Sequence, residues 1–271
     1  MKFGVMLTLV CLMIGVAAPS GGAADESDNG LDPTNPLTRL SLKYQYQNLP
    51  PSEEDTLHNG TFRGDLLFNE SATWGWSTRL ELPLIVTDRA SRDNPNGDTE
   101  FGFGDVLTQL IIINRPSDTF AWMAGSQFIF PTASQDQMGG GKYRIVPSAA
   151  ARWMLPRLRK GSWFAPLVRY DADVAGADDR NRIRELQLAP ILNLTLDQGW
   201  FLNLYPSSDI KYNFADERPG DTGKWFVPFD FLVGRNWSES TFGTLEVAFP
   251  LVQQYQVYDL KIEANIYFLF G

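Results

Sequence analysis

The sequence predicts an all-β fold, a transmembrane antiparallel β-barrel of about twelve strands, on three observations. The first is the alternation of apolar and polar residues, which is clearest in residues 257–270. A period of two places alternate side chains on opposite faces of a strand. The segment is longer than an ordinary globular strand and reaches the roughly 9–11 residues that cross a membrane. One face is therefore expected to meet lipid and the other a polar lumen.

The second observation is the alternating length of the links between such segments. Outer-membrane barrels have short periplasmic turns and longer outer loops, so both chain ends are expected in the periplasm. The predicted strands, in order, are residues 39–46, 61–69, 74–86, 104–113, 119–130, 143–154, 163–174, 185–196, 200–212, 225–235, 241–251 and 257–270.

The third observation is the position of the aromatic residues. An indole prefers the membrane interface, because one side of it is apolar and the other is wet. A periplasmic girdle is predicted from the tryptophans close to the short turns, which are Trp74, Trp76, Trp122, Trp153, Trp163, Trp200 and Trp237. An outer rim is predicted from Tyr44, Tyr46, Tyr143, Tyr170, Tyr212 and Tyr258. A soluble β-sandwich also alternates, but it has shorter strands and gives no reason for this clustering.

The N-terminus predicts export from the cytoplasm. Lys2 precedes an apolar run at residues 3–16 and small residues that end at Ala24. This pattern is typical of a secretory signal peptide, although a retained amphipathic anchor is an alternative. We therefore expect a signal peptide at 1–24, a periplasmic tail or lumen plug at 25–36 and the barrel at 37–271.

Several prolines interrupt the predicted strands, among them Pro83, Pro147, Pro166, Pro190, Pro206, Pro228 and Pro250. Proline cannot donate to a strand ladder and is expected at edges, ends or bulges. A closed barrel has no edge. Bulges and strand ends that bend the wall are therefore the simplest interpretation.

The sequence offers little for catalysis. Its one histidine, His58, is expected in an outer loop, and its one cysteine, Cys11, lies in the predicted leader. No second histidine could orient a serine nucleophile, so a hydrolase is disfavoured, although a carboxylate-only mechanism stays open. Residues 139–142 and 93–98 resemble a phosphate loop and a calcium loop, but each has the wrong residue at required positions. We predict a protein that is not an enzyme and has no cofactor and no metal.

The inward face carries the informative residues, because charged side chains are too costly to face lipid. The lumen-lining candidates are Arg39, Lys43, Arg63, Arg79, Glu81, Asp105, Arg169, Asp171, Glu185, Asp209, Lys211, Asp230, Glu246, Asp259, Lys261 and Glu263. They could form a salt-bridge network that fills a closed barrel, or line a polar passage. An eight-stranded barrel is filled by its own side chains, whereas a sixteen-stranded barrel leaves an aqueous channel. A barrel of twelve strands therefore suggests a narrow or gated route. Since acids outnumber bases on the assigned inward face, a modest cation preference is expected.

Four stretches carry a family resemblance: Arg79-Leu80-Glu81-Leu82-Pro83, Gly102-Phe103-Gly104-Asp105, Phe130-Pro131-Thr132-Ala133-Ser134, and Gly141-Lys142-Tyr143 with Pro147-Ser148-Ala149. In order and spacing they resemble an outer-membrane transporter-like family named after the meta pathway of phenol degradation. The resemblance implies a β-barrel and uptake of small, often aromatic, compounds. It carries no established catalytic residues.

We therefore predict an outer-membrane channel or transporter for small molecules in a Gram-negative bacterium, with aromatic or hydrophobic solutes as candidates. The expected partners are outer-membrane lipid and lipopolysaccharide, the barrel assembly machinery and a small-molecule solute. The net charge of -9 and the lack of a basic cluster argue against nucleic acid. A plugged structural or interaction barrel is the main alternative, and a lipid-modifying outer-membrane enzyme is a further one.

Overall fold

The computed structural model of the protein describes residues 31–49, 55–69, 71–207, 209–216 and 220–270. The predicted signal peptide and the first half of the predicted tail lie outside these residues. No helix in the described part of the chain is long and apolar enough to cross a membrane. The strands are β1 (Arg39–Asn48), β2 (Thr56–Asn69), β3 (Trp74–Thr87), β4 (Glu100–Phe103), β5 (Val106–Ser117), β6 (Phe120–Phe130), β7 (Lys142–Met154), β8 (Trp163–Gly176), β9 (Arg184–Thr195), β10 (Trp200–Leu204), β11 (Ile210–Asn213), β12 (Trp225–Asn236), β13 (Thr241–Gln253) and β14 (Leu260–Leu269). Two single 3-10 turns complete the regular elements, at Asp136–Met138 and Asp197–Gly199.

The strands form a closed antiparallel barrel. Each wall strand pairs with its neighbour in sequence, and β1 closes the wall against β14, with Arg39 opposite Leu269 and Asn48 opposite Leu260. Two wall strands are interrupted: β4 and β5 both pair with β3, and β10 and β11 both pair with β9 and β12. The fourteen strand segments therefore make twelve wall strands, which confirms the predicted fold class.

The alternation places apolar side chains outside. On β3, Leu80, Leu82 and Leu84 are between 40% and 45% exposed, although leucine is usually buried in a soluble protein. Arg79 and Glu81 lie on the opposite face and are largely buried. An exposed apolar exterior around a charged interior is the reverse of a soluble fold and is typical of a membrane barrel.

The structure corrects the predicted position of His58. The first outer link is shorter than expected, because β2 begins at Thr56 and pairs with Asn48 of β1. His58 therefore lies in a strand, where its Nδ1 is 2.7 Å from the Tyr44 hydroxyl and its ring packs beside Tyr46. The pattern concealed this because Leu57-His58-Asn59-Gly60 has no clear alternation.

The start of the closing strand also differs from the expectation. β14 begins at Leu260, so Tyr258 and Asp259 belong to the irregular link before it. Tyr258 was predicted to face out and Asp259 to line the lumen, but Tyr258 is 1% exposed while Asp259 is exposed. The reason is that face alternation holds only where the ladder continues. Trp163 similarly leaves the predicted girdle, because its side chain is buried in the barrel interior.

The prolines lie where the ladder is irregular or where two of them meet. Pro166 is the register partner of Pro190, and Pro228 is the partner of Pro250 beside a register shift. Pro206 lies in the gap between β10 and β11. Because proline has no backbone N–H to donate, two prolines opposite each other confine the lost hydrogen bonds to one position along the strands. The rest of the ladder stays intact.

Apolar side chains fill part of the interior. One cluster, from β5 to β9, contains Ile113, Ala165 and Ala189, each at most 1% exposed. A second cluster packs Phe201 against Phe242, and Gly234 leaves the space that the Phe201 ring occupies. The interior is therefore part apolar core and part polar cavity.

Candidate functional site

A cavity of about 380 Å³ lies inside the barrel. Eleven of the sixteen lumen candidates line it: Arg39, Lys43, Arg63, Arg79, Glu81, Arg169, Asp209, Lys211, Glu246, Lys261 and Glu263. They come from several strands around the wall. All of them except Asp209, which lies just before β11, share the inward phase of their strands, and this phase brings them together.

The first group of charges surrounds Asp65 on β2. Its carboxylate, 0% exposed, accepts from Arg39 Nε at 3.0 Å, Arg63 Nε at 2.7 Å and Arg79 Nε at 2.7 Å. Glu81 lies 3.8 Å from Arg63 and 3.6 Å from Arg79. The three strands β1, β2 and β3 place these residues side by side, because Asp65 is the register partner of both Arg39 and Arg79.

The closing seam extends this group. Glu263 on β14 is 3.6 Å from Lys43 Nζ and accepts from Gln45 Nε2 at 2.8 Å, both on β1. A charge pair across adjacent strands stabilises their register. We call Arg39, Lys43, Arg63, Arg79, Asp65, Glu81 and Glu263 the seam cluster.

The second group lies beside the seam cluster, on β12 to β14 and just before β11, where Asp209, Asp230 and Glu246 place carboxylate oxygens within 4.8 Å of one another. The Lys261 ammonium pairs with Asp209 and lies 2.6 Å from Glu246. Tyr258 donates its hydroxyl to Asp209 at 3.0 Å. Three carboxylates are a plausible donor set for a cation, but Lys261 already supplies the positive charge there. We call these four charged residues the Lys261 cluster.

Five candidates do not line the cavity. Asp105 accepts from the backbone N–H groups of Ala133 and Gly140 and so orders an outer loop. Asp171 pairs with Arg144, and Glu185 accepts from the Tyr255 hydroxyl at 3.3 Å. Asp230, the member of the Lys261 cluster that does not line the cavity, is fully buried, and Asp259 is exposed outside β14.

Residues just before β1 lie against the cavity. Asp32 is 3.1 Å from Arg152, Leu31 packs on the Phe201 cluster, and Pro33 and Pro36 line the cavity. Burial raises the pKa of Asp32, whereas Arg152 and the hydrogen bonds from Thr34 lower it. The described end of the predicted tail, residues 31–36, is therefore tucked into the barrel.

The lumen candidates are all charged and leave out four glutamines that line the cavity. Alternation places Gln45 and Gln187 on the inward face, and the same phase could have found Gln109 and Gln127. Tyr258 could not be found, because it lies outside the ladder. Among the described residues that line the cavity, seven are basic and five are acidic. This balance is opposite to the one on which the expected cation preference was based.

The closed wall, the apolar exterior and the charged interior define an outer-membrane-type β-barrel. The family described as "Putative MetA-pathway of phenol degradation" matches residues 54–163, a range that contains all four motif stretches. This match confirms the predicted resemblance to that family.

Solved structures share the fold, among them an outer membrane channel and a porin. The COG4313 outer membrane channel from Pseudomonas putida F1 is 13% identical, with a TM-score of 0.67 over 94% of this chain and 100% of that one. The NanC porin is also 13% identical, with a TM-score of 0.51 over 86% of this chain and 99% of that one. No curated protein matches the sequence.

Proposed function

We propose that the protein is an outer-membrane channel that admits small solutes through a narrow lumen. The observation that carries this proposal is the closed barrel with a cavity of about 380 Å³ lined by charges of both signs and by apolar side chains. Sites for small organic molecules have volumes of roughly 300–1,000 Å³ and mix apolar walls with a few polar groups. The family name and the channel of the same fold support the proposal.

The same reasoning sets the proposed location and partners. The outward leucine and phenylalanine side chains form an apolar belt that would be stable in contact with lipid. The predicted signal peptide would direct export of the chain to the periplasm. We place the barrel in the outer membrane of a Gram-negative bacterium, inserted by the barrel assembly machinery and in contact with phospholipid and lipopolysaccharide. Aromatic solutes remain the proposed cargo, from the family name alone.

The test is passage through purified protein. In planar bilayers we expect discrete, small conductance steps, because much of the interior is filled by apolar clusters. In liposomes, phenol is expected to enter faster than a sugar of similar size, because the wall includes Ile111, Met123 and Leu167. Since phenol also crosses bare lipid, its entry is measured as the excess over protein-free liposomes.

The packing of residues 31–36 into the interior favours a second function, a plugged structural or interaction barrel. Silence of the whole chain in bilayers, with conductance only after removal of that segment, would support this second function. Faster sugar entry than phenol entry would contradict the aromatic cargo while leaving the channel intact.

A further inference from the structure

Arg169 differs from the other arginines that line the cavity. Arg39, Arg63 and Arg79 each pair with Asp65. Arg169, on β8, makes no ion pair or hydrogen bond with any residue in the described part of the chain, and its Nε is buried without a partner. Its side chain borders the cavity, so the free guanidinium faces the space that a solute would enter.

The charges near Arg169 do not neutralise it. Two acids, Glu81 and Asp209, and two arginines, Arg63 and Arg79, act on it electrostatically. Glu81 is already between Arg63 and Arg79, and Asp209 is already paired with Lys261. The seam cluster together with Arg169 has five bases and three acids, so these eight residues carry an uncompensated positive charge.

On its own part of the wall, Arg169 has apolar and uncharged neighbours. Leu167 lies two residues earlier on the same face of β8, and Ile191 of β9 also lines the cavity. The register partners of Arg169 are Ser148 on β7 and Gln187 on β9. Ile111 lines the cavity as well. A ligand could place an anionic group on the guanidinium and a compact apolar body on these side chains.

The chemistry of the anion follows from the number of free donors. A guanidinium presents two parallel N–H groups that match a carboxylate in a bidentate pair. Among the described arginines that line the cavity, Arg169 has the one free fork, and Glu81 and Asp209 would repel a second negative charge on the ligand. We propose that Arg169 is the recognition residue for small monocarboxylates with an aromatic or branched apolar body. This proposal deepens the proposed channel function and rests on it for its biological role.

The first experiment measures equilibrium binding, which does not require passage. Benzoate is titrated into the purified, detergent-solubilised full-length protein by calorimetry, with benzyl alcohol as the neutral match. Arg169→Gln should weaken benzoate binding at least about tenfold, because a charge-assisted bidentate pair is lost. Arg169→Lys should be intermediate, since it keeps the charge but not the fork.

The control separates a site from bulk charge. Lys211→Gln removes one positive charge from the same cavity but not the free guanidinium. It should weaken benzoate binding by less than about threefold. Equal losses in Lys211→Gln and Arg169→Gln would overturn the site, as would benzoate binding that Arg169→Gln leaves unchanged, or no binding to the unmodified chain. Phenyl phosphate binding more tightly than benzoate would overturn the monocarboxylate class.

A second experiment in liposomes separates this proposal from the channel function. Both functions together predict saturable benzoate entry whose half-saturating concentration rises about tenfold in Arg169→Gln. Benzyl alcohol entry above the lipid background should change less than twofold in that variant. Binding without entry of either solute would support the site and contradict the channel, whereas entry without dependence on Arg169 would contradict only the site.

Discussion

Asp65 illustrates how much a single buried carboxylate determines inside this barrel. Its two oxygens accept from three guanidinium groups, each on a different strand, so its loss would leave Arg39, Arg63 and Arg79 to share Glu81. An uncompensated buried charge is far more costly than a missing surface pair.

Asp65→Asn is therefore expected to lower the free energy of unfolding by about 3–5 kcal/mol. Reversible denaturant unfolding of the barrel in lipid vesicles measures this. The matched control is Asp179→Asn, because Asp179 and its partner Arg92 are 61% and 78% exposed. That change should cost less than about 1 kcal/mol. Similar losses in the two variants would show that the arginine cluster is stable without its central acid.

Single residues also show where sequence reasoning reached its limit. The inward position of Arg79, Lys261 and Glu263 followed from alternation, because every such charge had to avoid lipid. The sequence does not show which acid each base pairs with, because this depends on the strand register and on the distance across the lumen. For the same reason, the sequence could not predict that the Arg169 guanidinium has no acidic partner.

At the scale of the element, strand existence was predictable and strand ends were less so. The predicted strands 74–86 and 119–130 differ by one residue from the observed Trp74–Thr87 and Phe120–Phe130, because long alternating runs bounded by turn residues leave little freedom. His58 and Asp259 were misplaced because both lie near a strand end, where the ladder stops or continues according to the neighbouring strand. The break between β10 and β11 likewise depends on Pro206 and on Tyr205, which has a φ of 52°.

The segment before β1 makes a prediction about conductance. Leu31, Asp32 and Pro33 occupy space against the cavity, and the Asp32–Arg152 pair holds them there. Removal of the predicted tail, residues 25–36, should raise single-channel conductance by at least about twofold, because a pore conducts according to its narrowest part.

Arg152→Ala provides the graded comparison for this experiment. It releases only the ion pair and leaves the Leu31 packing on the Phe201 cluster, so a smaller rise with more frequent fluctuations is expected. Conductance that is identical in the whole chain and in both variants would show that residues 31–36 do not limit the pore.

At the scale of the whole molecule, the apolar exterior and the charged interior arise from one rule applied around a closed sheet. Because the wall closes between β1 and β14, no strand edge needs protection, and inward charges such as Arg39 and Asp65 pair across neighbouring strands. The two clusters have opposite excess charge. The seam cluster together with Arg169 has five bases and three acids, whereas the Lys261 cluster has three acids and one base. This asymmetry, rather than the overall charge of -9, governs what the lumen would attract.

The exterior predicts how stability depends on membrane depth. Leu80 lies in the middle of β3 and is 45% exposed. Leu251 lies near the C-terminal end of β13, at the predicted outer side of the barrel, and is 60% exposed. If both leucines face lipid, Leu80→Arg should cost about 2–4 kcal/mol and Leu251→Arg about 0–1 kcal/mol, because an arginine near the interface reaches the headgroups. Unfolding from phosphatidylcholine vesicles in guanidinium chloride measures both changes. A soluble barrel would tolerate both arginines equally, so equal and small costs would contradict the membrane location.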